Sequence, residues 1–299
     1  MTMLIPDARR GLLGGLIDDA SLLSESAPEV DRAVEAYRAL RTDKHGWMVG
    51  RLVVPASLLE DLAGVLVRTM KAGDAPMPVV AEFDGSIASD ASKAATFHAT
   101  MEPAARIEIV RLTAGDGDAA HAVVEAANAT RGIHHDVVPM IPVSRAADVA
   151  PVVAAVSAAK AAVLHSVGVV LALPPDATDA TGLASSLRAC VAGTVPFTIQ
   201  AEWFPASTLV DPSTGHITVG VTNLLAAALD TGATPAETIS ILSDDEPGIR
   251  AITFAGIATR GGSSRAGRSI GTNRSPLLSL SALEPAATIE ALRGLDPFA

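Results

Sequence analysis

The chain has 299 residues, 49% of them apolar and only 3% aromatic, so a large core filled by Ala, Val and Leu is expected. A formal net charge of −11 repels phosphate backbones and argues against nucleic-acid binding. The lone cysteine, Cys190, excludes a disulfide framework or a thiolate metal cage within one chain.

Cys190 sits in L-R-A-C-V-A among apolar neighbours and reads as a buried structural thiol. The opening M-T-M-L-I-P-D-A-R-R lacks the basic start and long apolar core of a signal peptide. The apolar runs Val149–Val170 and Val221–Leu229 are broken or bounded by Lys160, His165 and Asp230, so they read as buried helices and a strand rather than membrane spans. A cytoplasmic protein with no membrane association is expected.

Residues 1–40 read as an N-terminal helical extension. The adjacent carboxylates Asp18 and Asp19 either cap a short helix or face a pocket mouth. Val30, Ala33, Val34 and Tyr37 recur at helical spacing between Pro28 and Leu40. Candidate strands then follow at Gly46–Val54, Pro78–Phe83, Arg106–Leu112, Asp136–Val143, Gly168–Leu173 and Phe197–Glu202, about 30 residues apart, the size of one βα unit. Apolar helical faces separate them, for example Leu58, Leu59, Leu62, Val65 and Leu66. Repeated strand and helix without hairpin signals argues for a parallel sheet.

After the sixth strand the rhythm breaks. Asp211 to Gly215 is a turn, His216–Val219 is a short β-like run, and Asn223 opens a helix over Leu224–Leu229. Thr234, Pro235 and Glu237 carry the signature of a capped helix running to Leu242. Ile249–Phe254 and Arg268–Ile270 would be strands seven and eight, and Leu283–Leu295 the closing helix. The reading is one (β/α)8 TIM-type barrel domain over residues 1–299, with an irregular insertion after the sixth strand. An open flavodoxin-like sheet competes, but the first strand ends in V-V-P-A-S with no G-x-G-x-x-G. Walker, H-E-x-x-H and G-x-S-x-G signatures are also lacking.

Four stretches carry a resemblance: R-R-G-L-L-G-G-L-I-D-D-A-S-L-L at Arg9, V-P-F at Val195, T-N-L-L-A-A-A-L at Thr222 and R-S-I-G-T-N-R-S at Arg268. In these the chain resembles an uncharacterised family of actinobacterial proteins of similar length, which implies a TIM-type barrel and no established activity. Family members show a Lys/Arg–Thr–Gly–Gly run after the fifth strand and Gly–Leu–His–His after the sixth. This chain has Leu171 to Pro175 and Ala201 to Phe204 there, so the resemblance implies altered or lost chemistry.

Barrel enzymes place reacting groups at the C-terminal ends of strands. Those positions hold Glu82, Asp84, Arg111, Ser144, Arg145, Asp176 and Glu202, then Thr272, Asn273, Arg274 and Ser275. Glu202 beside Trp203 and Phe204 is expected to be desolvated and, with Glu82, to supply acid/base catalysis or to bind a divalent cation such as Mg²⁺. Gly271 to Ser275 would bind an anion through backbone N–H groups and Arg274, with Arg111 and Asp19 as further substrate-binding groups. His134 and His135 precede the fourth strand, on the face opposite a barrel's site, and no dedicated metal centre is expected there. The expected function is a lyase, isomerase or hydrolase acting on a small anionic metabolite. The alternative is an inactive barrel serving as a binding or assembly subunit, in a homo- or hetero-oligomer.

Overall fold

The structure is a computed structural model that describes residues 8–71, 73–113, 118–134, 136–143, 145–159, 166–173, 180–252, 256–259, 264–266 and 276–293. Eight parallel strands close into a ring. They are β1 (Ile17–Asp19), β2 (Val49–Pro55), β3 (Met77–Glu82), β4 (Ala105–Arg111), β5 (Val138–Val143), β6 (Gly168–Ala172), β7 (Phe197–Ala201) and Leu277–Ala282. The last is numbered β13 because, among the described residues, five short strands precede it outside the ring. It pairs with β7 on one side and β1 on the other. Ten helices accompany the strands among the described residues: α1 (Ala8–Leu13), α2 (Val30–Thr42), α3 (Leu59–Thr69), α4 (Ile87–Met101), α5 (Ala119–Thr130), α6 (Ala146–Ala159), α7 (Thr181–Gly193), α8 (Val221–Leu229), α9 (Pro235–Leu242) and α10 (Pro285–Arg293). The fold is a (β/α)8 barrel.

Alternation along each strand sorts side chains into two apolar layers. Leu52, Val54, Val79, Ala81 and Val110 join the large cluster between strands and helices. Their neighbours Val53, Val80, Ile109, Met140 and Val170 form a separate cluster that fills the barrel interior. The helices contribute the apolar faces their spacing predicts: Leu59, Leu62, Val65 and Leu66 on α3, and Val149, Val152, Val153 and Val156 on α6, are buried.

Six expected strands, from Gly46–Val54 to Phe197–Glu202, form as β2 to β7, each within three residues of the expected ends. The numbering moves by one, however. The segment read within the N-terminal extension supplies the first stave, β1, which pairs with β2 and β13. Its shortness and its two aspartates concealed it. The last stave is Leu277–Ala282, in the stretch L-L-S-L-S-A. Its serines suit the polar interior described below, and Leu280 joins the outer apolar layer.

Ile249–Ile252 forms β10 and pairs antiparallel with β11 (Gly256–Thr259), which pairs with β12 (Ser264–Ala266), so it stands outside the ring. Residues 268–270 lie outside the described residues. The insertion between β7 and β13 also holds a ribbon, β8 (Leu209–Val210) with β9 (Ile217–Thr218), and the helices α8 and α9. Asn223 does not open α8, which starts at Val221 after Gly220. Instead it is fully buried and ties the insertion together: its Nδ2 donates to the carbonyls of Ile241, Asp244 and Glu246, and its Oδ1 accepts from Thr208 N. Thr234 and Glu237 form the expected reciprocal cap of α9. No helix among the described residues is long and apolar enough to cross a membrane.

Candidate active site at the barrel mouth

Beside its apolar cluster, the barrel interior carries a chain of polar side chains. At the C-terminal end of β4, Arg111 is 0% exposed. It is register neighbour to Glu82 at the end of β3, yet its guanidinium leans across the interior. Nη1 donates to Gln200 Oε1 on β7 at 3.1 Å and Nη2 donates to Ser281 Oγ on β13. β4 and β13 lie four strands apart in a ring of eight, so the side chain spans the full width of the barrel. Nη1 stays 3.6 Å from Glu82 Oε2, within ion-pair range but beyond a hydrogen bond. Glu82 Oε2, Arg111 Nε and Thr198 Oγ1 are buried without a hydrogen-bond partner. Burial pushes the Glu82 carboxyl above its ordinary range, against the opposing pull of Arg111 and with a smaller push from Asp84.

A second group closes the ring at β1. Asp18 accepts from Arg51 N at 2.8 Å and from Ser279 Oγ at 2.5 Å. Arg51 Nη1 stands 3.5 Å from Asp18, and its Nε donates to Glu108 at 2.8 Å. Asp18, Arg111, Thr198, Ser279 and Ser281 are all 0% exposed.

The loop after Glu82 is held rigidly. Asp84 accepts from both Ser57 N and Ser57 Oγ on the loop after β2. Asp90, buried at the start of α4, takes Asp84 N at 3.0 Å, Gly85 N at 2.6 Å and Lys93 Nζ at 2.9 Å. Ser86 caps the same helix by accepting from Ser89 N. These bonds anchor the backbone next to Glu82.

Of the residues expected from sequence, Glu82 and Arg111 are brought together. Glu202 is not part of that group: it follows β7, four strands from β3, and is exposed. The apolar enclosure expected from its neighbours does not form around it, because Phe204 turns into the core and its N–H donates to Thr288 Oγ1. Asp19 is buried at the end of β1, where burial raises its carboxyl and Ser21 N donates to it at 3.0 Å. Its strand partners Leu52 and Ala282 belong to the outer apolar layer, so Asp19 stands on the helix side of the barrel, while Asp18 meets Arg51 and Ser279. Arg145 makes an exposed pair with Asp148. Thr272, Asn273, Arg274, Ser275, Ser144 and Asp176 lie outside the described residues.

Glu82 and Glu202, the two carboxylates expected to converge on a cation, stand at the ends of strands that lie four apart in the ring, and Asp84 near Glu82 gives both oxygens to Ser57. Among the described residues no group of three or more His, Cys, Asp or Glu could hold a metal ion.

Gln200, Ser279, Ser281 and Arg51, which join this polar chain, are not among the candidates from sequence, whereas Asp18 takes the inward-facing alternative offered for it. The signal for the serines was alternation within L-L-S-L-S-A, and for Gln200 its even spacing from Thr198 along β7. No protein-family model matches the chain, and neither a curated protein nor a solved structure matches it.

Proposed function

We propose that this barrel is an enzyme acting on a small anionic metabolite at the C-terminal mouth, with Glu82 as general acid/base. The observation that carries the reading is Glu82 itself. It stands at the end of a barrel strand with one oxygen buried and unbonded, 3.6 Å from a fully buried guanidinium. A carboxyl raised by burial holds its proton closer to neutral pH, which suits proton transfer to or from a substrate. Arg111 supplies the positive charge behind it, favouring an anionic ligand. Thr272 to Ser275, with Arg274, remain the proposed anion-binding residues on the strength of the sequence, and they lie outside the described residues. A lyase or isomerase reaction needs only such a proton-transfer group and a bound anion.

The test is thermal stability against a panel of small carboxylated and phosphorylated metabolites, with and without Mg²⁺. A ligand at a hundred times its dissociation constant stabilises by about 2.7 kcal/mol. The expected result is a response to at least one anion, with turnover of that compound lost in Glu82→Gln. A response and turnover unchanged by that substitution would sink the reading.

The second reading, a non-catalytic assembly subunit, is favoured by Leu209 and Val210, 49% and 43% exposed on the β8–β9 ribbon. A stable oligomer that Leu209→Ser with Val210→Ser dissociates, joined to silence across the metabolite panel, would favour it.

A further inference from the structure

The least expected feature of the mouth is the direction of Arg111. Glu82 is its register neighbour on the adjacent strand, and a guanidinium beside a carboxylate ordinarily closes into a two-pronged pair. Here it does not. Its two terminal nitrogens go to Gln200 and Ser281, which are themselves register partners on the opposite wall. The closest approach to Glu82 remains 3.6 Å, and Glu82 Oε2 accepts no hydrogen bond. Both acceptors on the far wall are neutral, so they compete for the guanidinium by geometry rather than by charge.

We infer that Gln200 and Ser281 are positioning residues for Glu82: they hold Arg111 on the far wall and so keep the glutamate under-bonded. The inference rests on Glu82 being the working group of the mouth, and it adds the residues that keep it poised. Were the far-wall acceptors removed, the guanidinium would turn back and donate to Glu82 directly. The carboxylate would then be stabilised and its capacity to hold a proton near neutral pH would fall. Among the described residues the charged groups acting on Glu82 are Arg111 and Asp84. Lys93 is held at Asp90, and Gln200 and Ser281 are uncharged. The burial that raises Glu82 is unchanged by Gln200→Leu or Ser281→Ala, so a shift in those variants would report the guanidinium.

The experiment is a ¹³C-carboxyl NMR titration of Glu82, its signal assigned by its loss in Glu82→Gln. Wild type is compared with Gln200→Leu, Ser281→Ala and their combination, each checked for native circular dichroism. The expected result is a fall in the Glu82 pKa by about 1 unit in the double variant, the scale of a direct hydrogen bond donated to the charged form. Ser281→Thr keeps the hydroxyl and should retain the wild-type value. Gln200→Glu anchors the guanidinium more firmly and brings a like charge, so it should raise the Glu82 pKa. A folded double variant with an unchanged or higher pKa overturns the inference. Should the apolar variants not fold, a Gln200→Glu protein with an unchanged or lower value overturns it equally. The titration uses no ligand. A positive result alongside turnover that is indifferent to Glu82→Gln would therefore sink the catalytic reading and leave the positioning intact.

Discussion

Ser279 Oγ donates to Asp18 Oδ2 at 2.5 Å, joining the last stave of the barrel to the first. The same carboxylate takes Arg51 N on the second stave, so one buried side chain fastens both seams of β1. Removing a buried, hydrogen-bonded charge leaves its partners unpaired. Asp18→Ala is expected to destabilise the fold by about 3 kcal/mol in urea unfolding. A loss below about 1 kcal/mol would show that the clasp contributes little.

Gly50 is the steric counterpart of that clasp. A Cβ there would lie 2.4 Å from Asp18 Oδ1 and 2.7 Å from the Gly15 carbonyl oxygen. The second neighbour is backbone and yields little. Gly50→Ala should therefore cost about 2 kcal/mol by overpacking, and Asp18→Ala in the same chain should not restore it fully. Wild-type stability in Gly50→Ala would mean that β1 shifts freely, which the closed ring forbids.

Glu82 predicts a pH slope with a definite sign. Its folded carboxyl titrates above its ordinary value of 4.5, chiefly because it is buried. The folded protein then binds more protons than the unfolded chain between 4.5 and the raised folded value. Stability contributed by the protonated form is lost as pH rises through that window. Glu82→Gln removes this loss, so its stability relative to wild type should grow as pH rises from 4.5 and then level off. Urea unfolding of both proteins across the range reads it directly, and a difference that is flat or shrinks with pH contradicts the burial account.

His98 predicts the opposite slope. It is 4% exposed, stacks on His134 with ring centroids 5.6 Å apart, and its Nδ1 has no partner. Burial holds its imidazole below the ordinary value of 6.5, opposed by Glu102, while His134 and Arg106 push in the same direction as burial. Below 6.5 the unfolded chain gains a proton that the folded chain refuses, so stability falls as pH drops toward the folded value. His98→Gln should lose that component of acid sensitivity. Identical acid profiles for the two proteins would remove His98 from the account.

Cys190 is fully buried on α7, and burial pushes its thiol up to about 12. Its thiolate is therefore scarce and inaccessible in the folded protein. Iodoacetamide labelling followed by mass spectrometry should show modification only at the rate of unfolding, with urea restoring the speed of a free thiol. Rapid labelling under native conditions would contradict this placement.

The ring of strands was legible in the sequence where a stave is a continuous apolar run. The segments around Val53, Val80, Ile109, Ile141, Val170 and Ile199 declared themselves because most of their residues are apolar and packed into one of the two apolar layers. The spacing of about 30 residues between them then implied parallel crossovers. The two remaining staves lack such a run: Ile17–Asp19 is three residues long and two of them are aspartates, and Leu277–Ala282 interleaves its leucines with serines. Asp18, Ser279 and Ser281 face a hydrogen-bonded interior, as do Thr198 and Gln200 on β7, but β7 keeps Phe197 and Ile199 as an apolar signal and these two staves keep less of one. Glu82 and Arg111 were visible as charged groups ending strands. Their separation, and the competition of Gln200 and Ser281 for the guanidinium, depend on residues 89 and 170 positions away in the chain. Local propensity sets where strands begin and end; closure of the ring decides which side chains meet across it, because only closure brings opposite walls within hydrogen-bonding reach.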